Sequence, residues 1–331
     1  FMRSVFSHPR FWLFAPFVAL LALSLMAFGL WQYASERIRS DLADFGLTWQ
    51  SVSRNGFPAR ITFDVTAPRL VQEKITWSNP ELTATLMPFT LGLNDSHGVV
   101  DFLGTHEITL PAGDFTLSHD GNLMSLLLAH DGLLRASFEM SQPVLNGVLT
   151  NQVGRPKLHI EAETLGLHIR RSDKQSQTLD PMDVAVQLKN GSFIQPTNRQ
   201  AEAFRRLDIL ASVPKLWLQN RLQAGDILRL DRLTLERKDL TIVARGTLKL
   251  HARGYLQGTL DLNLVNLTAL LDALQEANIL SVRDRAKWMF LGGLGAALGG
   301  DTQDRLSVPL QFKNGRTHLG PLDLGPAPYW Q

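Results

Sequence analysis

Two patterns of hydrophobic and polar positions divide this chain. The segment from Phe11 to Tyr33 has no charged side chain and consists mostly of Phe, Leu, Ala, Val and Trp. In bilayer hydrocarbon every peptide group needs a hydrogen-bond partner within its own segment, so an apolar run of this length predicts a transmembrane helix. The rest of the chain consists mainly of short runs in which apolar and polar residues alternate, which is typical of half-buried β-strands.

The alternation is clear where Ile61, Phe63 and Val65 are separated by Thr62 and Asp64. Further runs of this kind lie at 82–86, 107–110, 115–117, 158–162, 165–169, 184–188, 228–235, 240–250, 255–264 and 306–312. Turn dipeptides separate many of the runs, as hairpins require: Asn55-Gly56, Asp120-Gly121, Asn190-Gly191 and Asn314-Gly315. The pattern predicts a mainly β (α+β) fold, with a single N-terminal transmembrane helix followed by an elongated antiparallel sheet domain.

Few segments have helical periodicity. Ile38, Leu42 and Phe45 extend the first helix until Gly46 can end it. Later candidates are a stripe of leucines at 267, 270, 271 and 274, and a helix capped by Ser281 that continues into Trp288. The segment 200–210 fits either a helix or a strand. The predicted organisation is a cytoplasmic tail at 1–10, a transmembrane helix at 11–33, a helical stalk at 34–46 and a periplasmic β-rich domain at 47–331.

The charges beside the apolar run predict its orientation. Arg3, His8 and Arg10 precede it without an acidic residue, which favours a cytoplasmic N-terminus and a main domain on the periplasmic side of the inner membrane. The residues expected to form the membrane anchor, with aromatic rings at both ends, are Phe11, Trp12, Leu20, Leu25, Trp31 and Tyr33. The alternative is a signal peptide cleaved after Ala27-Phe28-Gly29, but the apolar run is longer than an ordinary signal sequence and continues past this site.

Composition and motifs argue against catalysis. The chain has no cysteine, which excludes disulfides, iron–sulfur clusters and thiolate zinc sites. Its net charge is only +2 with scattered Lys and Arg, so no nucleic-acid partner is expected. Asp95-Ser96-His97 holds the residue types of a hydrolase triad, but three consecutive side chains cannot normally form the relay, and a surface loop is the expected structure. Glu161 and Glu163 are expected on a solvated strand face. We expect no catalytic residue, no metal site and no cofactor.

An uncharged segment at 288–300 is the most unusual internal feature. It is too short to span a bilayer, and its Gly295-x-x-x-Gly299 spacing would permit close helix packing. Two interpretations stay open, a buried connection inside the fold or a contact with membrane, lipid or a partner. The residues expected to make such a contact are Trp288, Met289, Phe290, Gly295 and Gly299.

Several short motifs follow the first helix in a fixed order. Leu47-x-Trp49 is followed by Arg54-x-Gly56-Phe57-Pro58-x-Arg60, and Gly246-x-Leu248 by Gly258-x-Leu260-x-Leu262. Val308-Pro309-Leu310 and Leu319-Gly320-Pro321-Leu322 close the series. Together these motifs make the chain resemble a bacterial envelope family of unknown function, number 2125, with AsmA-like character in its C-terminal part. The motif residues are expected to be scaffold: Gly56, Phe57, Pro58, Arg60, Gly246, Gly258, Gly320 and Pro321.

The resemblance implies a membrane-anchored, curved β-sheet with an apolar inner groove that handles lipid in the cell envelope. The first functional expectation is therefore a non-enzymatic protein whose apolar sheet face shields the acyl chains of membrane lipid. The alternative is an accessory or structural subunit that docks through its single helix onto a larger inner-membrane complex, such as a respiratory or transport assembly.

Overall fold

The computed structural model describes two compact units. Residues 9–58, 60–72, 75–87, 95–129, 132–149, 157–172, 181–194, 201–214, 223–276, 289, 305–320 and 322–328 are described. Unit 1 comprises Phe1–Leu110 and Ser125–Gly132, and unit 2 comprises Pro111–Met124 and Leu133–Gln331. The structure is mostly β, as predicted, and every strand pair given below is antiparallel.

The chain begins with one long helix, α1 (Pro9–Asp44), which runs without interruption from the apolar segment into the predicted stalk. It ends where Gly46 adopts a φ of 96° and its N–H donates to the carbonyl oxygen of Ala43 over 2.9 Å. Glycine favours this left-handed conformation because it has no Cβ, so the helix stops where the sequence predicts. By length and composition α1 could cross a membrane, although a signal sequence has the same properties.

The strands of unit 1 form two paired sets. In one set β2 pairs with β3, β3 with β6, and β6 with β7. In the other, β1 pairs with β4, β4 with β5, and β5 with β8. Their bounds are β1 (Leu47–Thr48), β2 (Ser51–Asn55), β3 (Ile61–Thr66), β4 (Arg69–Gln72), β5 (Ile75–Ser78), β6 (Glu81–Leu86), β7 (Asp95–Leu103) and β8 (His106–Leu110).

The second half of α1 packs into the core of unit 1. Trp31 is 8% exposed and joins a cluster with Ile61, Phe63 and Val65 from β3 and Leu82 from β6. Partly buried side chains surround this cluster, among them Ala34, Ile38, Val52, Leu86 and Phe102. Trp31, Ala34 and Ile38 recur at helical spacing, so one stripe of α1 covers the strands that carry the alternating apolar residues.

The elements after β8 are β9 (Gly113–Ser118), β10 (Gly121–Ala129), β11 (Gly132–Ser141), β12 (Val144–Leu149), β13 (Lys157–Arg171), β14 (Pro181–Ile194), β15 (Ala201–Pro214), β16 (Ile227–Arg237), β17 (Leu240–Leu250), β18 (Leu256–Val265), α2 (Leu267–Glu276), β19 (Arg305–Lys313), β20 (Arg316–Leu319) and β21 (Leu322–Pro326).

Unit 2 is built on long neighbouring strands. From β13 to β18 each strand pairs with the next, β19 pairs with β18, and β20 and β21 follow in order. At the other end β13 pairs with both β11 and β12, and β12 with β9.

The second helix covers one end of the unit 2 sheet. Asn266 caps α2 by accepting a hydrogen bond from the N–H of Ala269 over 3.1 Å. Leu267 and Leu271 then pack on Val308 and Leu319 from the sheet. This is the leucine-rich helix that the sequence predicts.

The structure corrects the local predictions at three places. Asn190-Gly191 lies inside β14 and forms no hairpin turn. The two runs at 158–162 and 165–169 belong to one strand, β13, because the pairing with β14 skips Glu163 but keeps the same register at Ala162 and Thr164 on either side of it. Asp95-Ser96-His97 opens β7, so the predicted surface loop was wrong. In the ambiguous segment 200–210, the described residues from Ala201 onward belong to strand β15.

Candidate functional site

One face of the unit 2 sheet is apolar across successive strands. The strand register aligns Leu165, Leu188, Leu207, Leu235, Ile242 and Leu264 in one row. The next row contains Leu167, Val186, Ile209, Leu233, Ala244, Leu262 and Val308. A third contains Ile169, Val184, Ala211, Leu230, Gly246, Leu260, Leu310 and Leu319. Directly paired residues point to the same side of a sheet, so these rows form a continuous surface, here called the apolar face.

Burial of the apolar face changes from one end to the other. Near α2, Leu264 is 2% exposed and Leu260 is 7% exposed. Towards β13 the row residues Leu165, Leu188 and Leu207 are only half-buried. In the first row, the part away from α2 therefore keeps aliphatic surface that neighbouring strands do not fully cover, whereas Val184 in the third row is buried.

Two glycines of the predicted scaffold oppose leucines on this side of the sheet: Gly246 in the third row and Gly258 just beyond it. Gly246 pairs with Leu260, and Gly258 pairs with Leu248. A Cβ at Gly246 would stand 2.3 Å from the carbonyl oxygen of Thr259, and a Cβ at Gly258 would stand 2.3 Å from that of Thr247. Each glycine permits close strand approach, with the opposing leucine side chain lying over its backbone.

The opposite face of the same strands is polar. The row that alternates with the first apolar row contains Gly166, Gln187, Asp208, Thr234, Val243, Asn263 and Ser307. The sheet is therefore amphipathic, with the two classes of side chain separated by strand periodicity.

A buried ionic network stabilises this polar face. Asp183 accepts hydrogen bonds from Ser212 Oγ over 2.8 Å and from Arg170 over 3.3 Å. Ser212 Oγ in turn accepts from Arg229 over 2.9 Å, and Arg229 lies 2.9 Å from Asp231. Burial alone would raise the pKa of Asp183, but the hydrogen bonds from Ser212, Ser172 and Arg170 outweigh it and hold the pKa below its ordinary value. The carboxylate is therefore ionised at neutral pH.

Along β13 to β15 the apolar face becomes polar at one end. Beyond Leu165 and Leu188 the next residues on this side are Glu163 and Asn190, whose side chains are 2.5 Å apart. Glu161 follows and accepts a hydrogen bond from Ser192 Oγ over 2.8 Å. These four polar residues line an open groove of about 690 Å³, together with Arg205 and Lys238. Glu161 and Glu163 are thus part of a mixed-charge groove that continues the apolar face.

The predicted anchor residues divide between the exposed and the docked part of α1. Leu20 and Leu25 are 65% and 62% exposed, and Tyr33 is 72% exposed. Trp31 instead lies against the strands, and its Nε1 donates a hydrogen bond to the carbonyl oxygen of Arg60 over 2.9 Å. Phe11 and Trp12 lie in the first turns of α1.

The motif at 54–60 forms the site that receives α1. The ring of Phe57 lies 5.4 Å from that of Phe28 and 5.9 Å from that of Trp31, in edge-on contacts. The Phe57–Pro58 bond is cis, and the N–H of Arg60 donates to the carbonyl oxygen of Gly56 over 2.9 Å. Sequence reasoning identified this motif as scaffold but did not connect it with Trp31.

Most of the segment at 288–300 lies outside the described residues, including Trp288, Phe290, Gly295 and Gly299. Met289 is helical and 40% exposed, and its sulfur accepts a hydrogen bond from Thr268 on α2 over 3.8 Å. Gly320 follows β20, while Pro321 and Ser281 are also outside the described residues. Within the described ranges, no group of three or more His, Cys, Asp or Glu residues is placed to hold a metal ion.

A family model matches residues 37–328, which cover the strands, both faces of the sheet and the last residues of α1. The chain belongs to DUF2125, a family described as uncharacterised proteins conserved in bacteria. This confirms the family expected from the motifs. Searches of the curated proteins and of the solved structures find no match.

Proposed function

We propose that this DUF2125 protein is a membrane-anchored, non-enzymatic envelope protein whose apolar face binds or shields the acyl chains of membrane lipid. The observation that carries the proposal is the alignment of aliphatic residues in adjoining rows from β13 to β19. Contiguous apolar patches larger than those of ordinary monomers mark binding surfaces. Removing apolar surface from water contributes a favourable free energy of about 25 cal/mol per Å².

The change from apolar to polar side chains along these strands favours an amphiphilic ligand over a purely apolar one. The half-buried Leu165 and Leu188 are followed along their strands by Glu163 and Asn190, in the groove that Arg205 also lines. A lipid has the same division, with acyl chains that suit the leucines and a polar headgroup that suits mixed charges. We place the acyl chains along the rows and the headgroup at the polar groove.

The location of the protein is part of the proposal. The exposed apolar half of α1 is its anchor in the inner membrane, the N-terminus is cytoplasmic and both units are periplasmic. An AsmA-like character of the C-terminal part, with a curved sheet, would suit this role and remains a prediction of the sequence resemblance.

The proposal is tested by the lipid that the full-length protein retains. Wild-type protein and two variants, Leu207→Glu and Gln187→Glu, are purified in mild detergent, and their lipids are extracted and counted by mass spectrometry. Residues 207 and 187 lie on adjacent strands but point to opposite faces. All three proteins keep α1, so lipid around the helix is the same in each, and circular dichroism verifies that each variant is folded.

We expect Leu207→Glu to retain several-fold less lipid than wild type, because a buried carboxylate cannot share a surface with acyl chains. Gln187→Glu should retain the wild-type amount. Equal retention by all three folded proteins would show that the apolar face does not hold the lipid.

The alternative prediction, a subunit docked onto a larger inner-membrane complex, is separated by native gel migration of membranes solubilised in mild detergent. Comigration of the chain with a large assembly would favour the subunit. Migration as a free monomer that carries lipid would favour the lipid-binding role.

A further inference from the structure

One edge of unit 1 brings together the ends of three strands and one residue of a fourth. The register joins Asn55 to Thr62, Ile61 to Leu86, and Leu86 to Gly98, so β2 and β6 end where β3 begins and where Gly98 of β7 lies. At the opposite edge Glu81 pairs with Leu103. We call the first edge, with Phe57 and Met87 just beyond its strands, the helix-entry edge.

Helix α1 meets the strands at this edge. Phe28 and Trp31 contact Phe57, and Trp31 bonds to Arg60. One turn further along the helix, Ser35 accepts a hydrogen bond from Arg54 over 3.0 Å. The docked part of α1 therefore begins at Phe28 and continues along the strands away from the helix-entry edge.

From Phe17 to Phe28 the helix has an apolar exterior that Ser24 alone interrupts. Phe17, Leu21 and Leu25 are 68%, 60% and 62% exposed. A helix needs about 20 residues to cross the hydrocarbon core, and Pro9 to Phe28 supplies this length. If α1 spans the membrane, the boundary of the bilayer falls where the docked part of the helix begins.

The side chains at the helix-entry edge suit that boundary. Phe57 is 40% exposed and Met87 is 55% exposed. Without lipid contact, both side chains would expose apolar surface to water. Arg60 is exposed beside them and can pair with lipid phosphate. Aromatic rings with neighbouring basic groups are typical of the membrane–water interface.

We propose that the helix-entry edge of unit 1 lies in the lipid headgroup region, with Phe57 and Met87 in contact with lipid. This inference rests on the anchoring role of α1 in the proposed function. It adds that unit 1 is fixed against the bilayer surface by the docked helix, and is not suspended on a flexible tether.

The test uses the absence of native cysteine in the chain. Four single-cysteine variants of the full-length protein are prepared. Phe57→Cys and Met87→Cys lie at the helix-entry edge, Leu20→Cys lies in the exposed apolar part of α1, and Leu103→Cys lies at the opposite edge. Leu103 is 49% exposed and lies about 17 Å from the helix-entry edge, since a strand rises about 3.3 Å per residue. Each variant carries an environment-sensitive fluorophore in phosphatidylcholine–phosphatidylglycerol vesicles.

Quenching by lipids with spin labels at shallow or deep acyl positions, and by aqueous iodide, reports the depth of each probe. We expect probes at 57 and 87 to be quenched several-fold more strongly by shallow spin labels than the probe at 103, and to be shielded from iodide. The probe at 20 should respond to deep spin labels.

The outcomes separate the two proposals. If position 20 responds to deep labels but positions 57 and 87 behave like 103, the helix is an anchor and the inference about the edge is wrong. If position 20 behaves like 103, the anchoring role itself is wrong. Because Phe57 packs on Trp31, agreement between positions 57 and 87 guards against a local disturbance at either one.

Discussion

The indole Nε1 of Trp31 donates a hydrogen bond to the backbone carbonyl oxygen of Arg60 across 2.9 Å, and this bond joins α1 to the turn between β2 and β3. The ring itself is 8% exposed within the core of unit 1. Trp31 lies near the end of the apolar run of α1 and is thus a core residue of unit 1. Through Trp31, α1 packs directly on the strands of unit 1.

Replacing this indole should destabilise unit 1 in two steps. Trp31→Phe leaves the Arg60 carbonyl without its donor, which should lower the free energy of unfolding by about 1–3 kcal/mol. Trp31→Ala also removes the packed ring, with an expected loss of about 3–5 kcal/mol. Urea unfolding of the full-length protein in mild detergent, followed by circular dichroism, measures both. Tyr33→Phe is the control because Tyr33 is 72% exposed; if Trp31→Phe unfolds at the same urea concentration as this control, the hydrogen bond has no stabilising role.

The glycines that oppose leucines in the apolar face should resist substitution. Gly246→Ala and Gly258→Ala each place a Cβ 2.3 Å from a carbonyl oxygen of the neighbouring strand. The strands must separate locally, which should cost about 1–3 kcal/mol of unfolding free energy. The matched control is Gly121→Ala in β10, where nothing lies within 4 Å of the added carbon. Thermal melts in which Gly246→Ala and Gly121→Ala coincide with wild type would contradict the close approach.

Acid should weaken unit 2 through Asp183. Hydrogen bonds hold its folded-state pKa below the ordinary value of 3.8. The contribution of Asp183 to the free energy of unfolding is therefore complete above that value and is lost as pH falls through the folded-state pKa. We expect the melting temperature of wild type to fall as pH drops below 3.8 towards the folded-state pKa, and that of Asp183→Asn to fall less steeply.

At neutral pH, Asp183→Asn should already be less stable by about 1–3 kcal/mol, because the charge-assisted bonds from Arg170 and Ser212 are weakened. The control is Asp261→Asn, an exposed position on β18. Parallel melting curves against pH for wild type and Asp183→Asn would exclude Asp183 as a source of the acid sensitivity.

Much of the fold follows from local sequence periodicity. The runs at 228–235, 240–250 and 255–264 correspond to β16, β17 and β18, because one face of each strand is mainly aliphatic and the other is mainly polar. The end of α1 at Gly46 and the helix α2 were also predictable. A glycine that can adopt a left-handed conformation and a stripe of leucines at helical spacing are both signals within the segment whose structure they determine. The turn at Asn190-Gly191 was wrong because β14 continues through this dipeptide: Asn190 has a φ of 46°, but Lys189 and Gly191 on either side of it pair with both β13 and β15.

The candidate site was less predictable than the strands that form it. Alternation indicates that Leu188 and Leu207 each face one side of a strand, but only the register shows that they adjoin in one row. Trp31 likewise marks the end of an apolar run in the sequence, whereas its bond to Arg60 depends on tertiary packing between distant segments. Pairing between strands and docking of a helix are non-local, so no short pattern specifies them.

The most direct test of the lipid-binding account is photo-crosslinking of the full-length protein with a phospholipid whose acyl chain carries a diazirine. Mass spectrometry of the digested protein then locates the modified residues on β15, where neighbouring positions alternate between the two faces. The account predicts adducts at Leu207 and Ile209 and none at Asp208. Adducts confined to α1, with β15 unmodified, would contradict it.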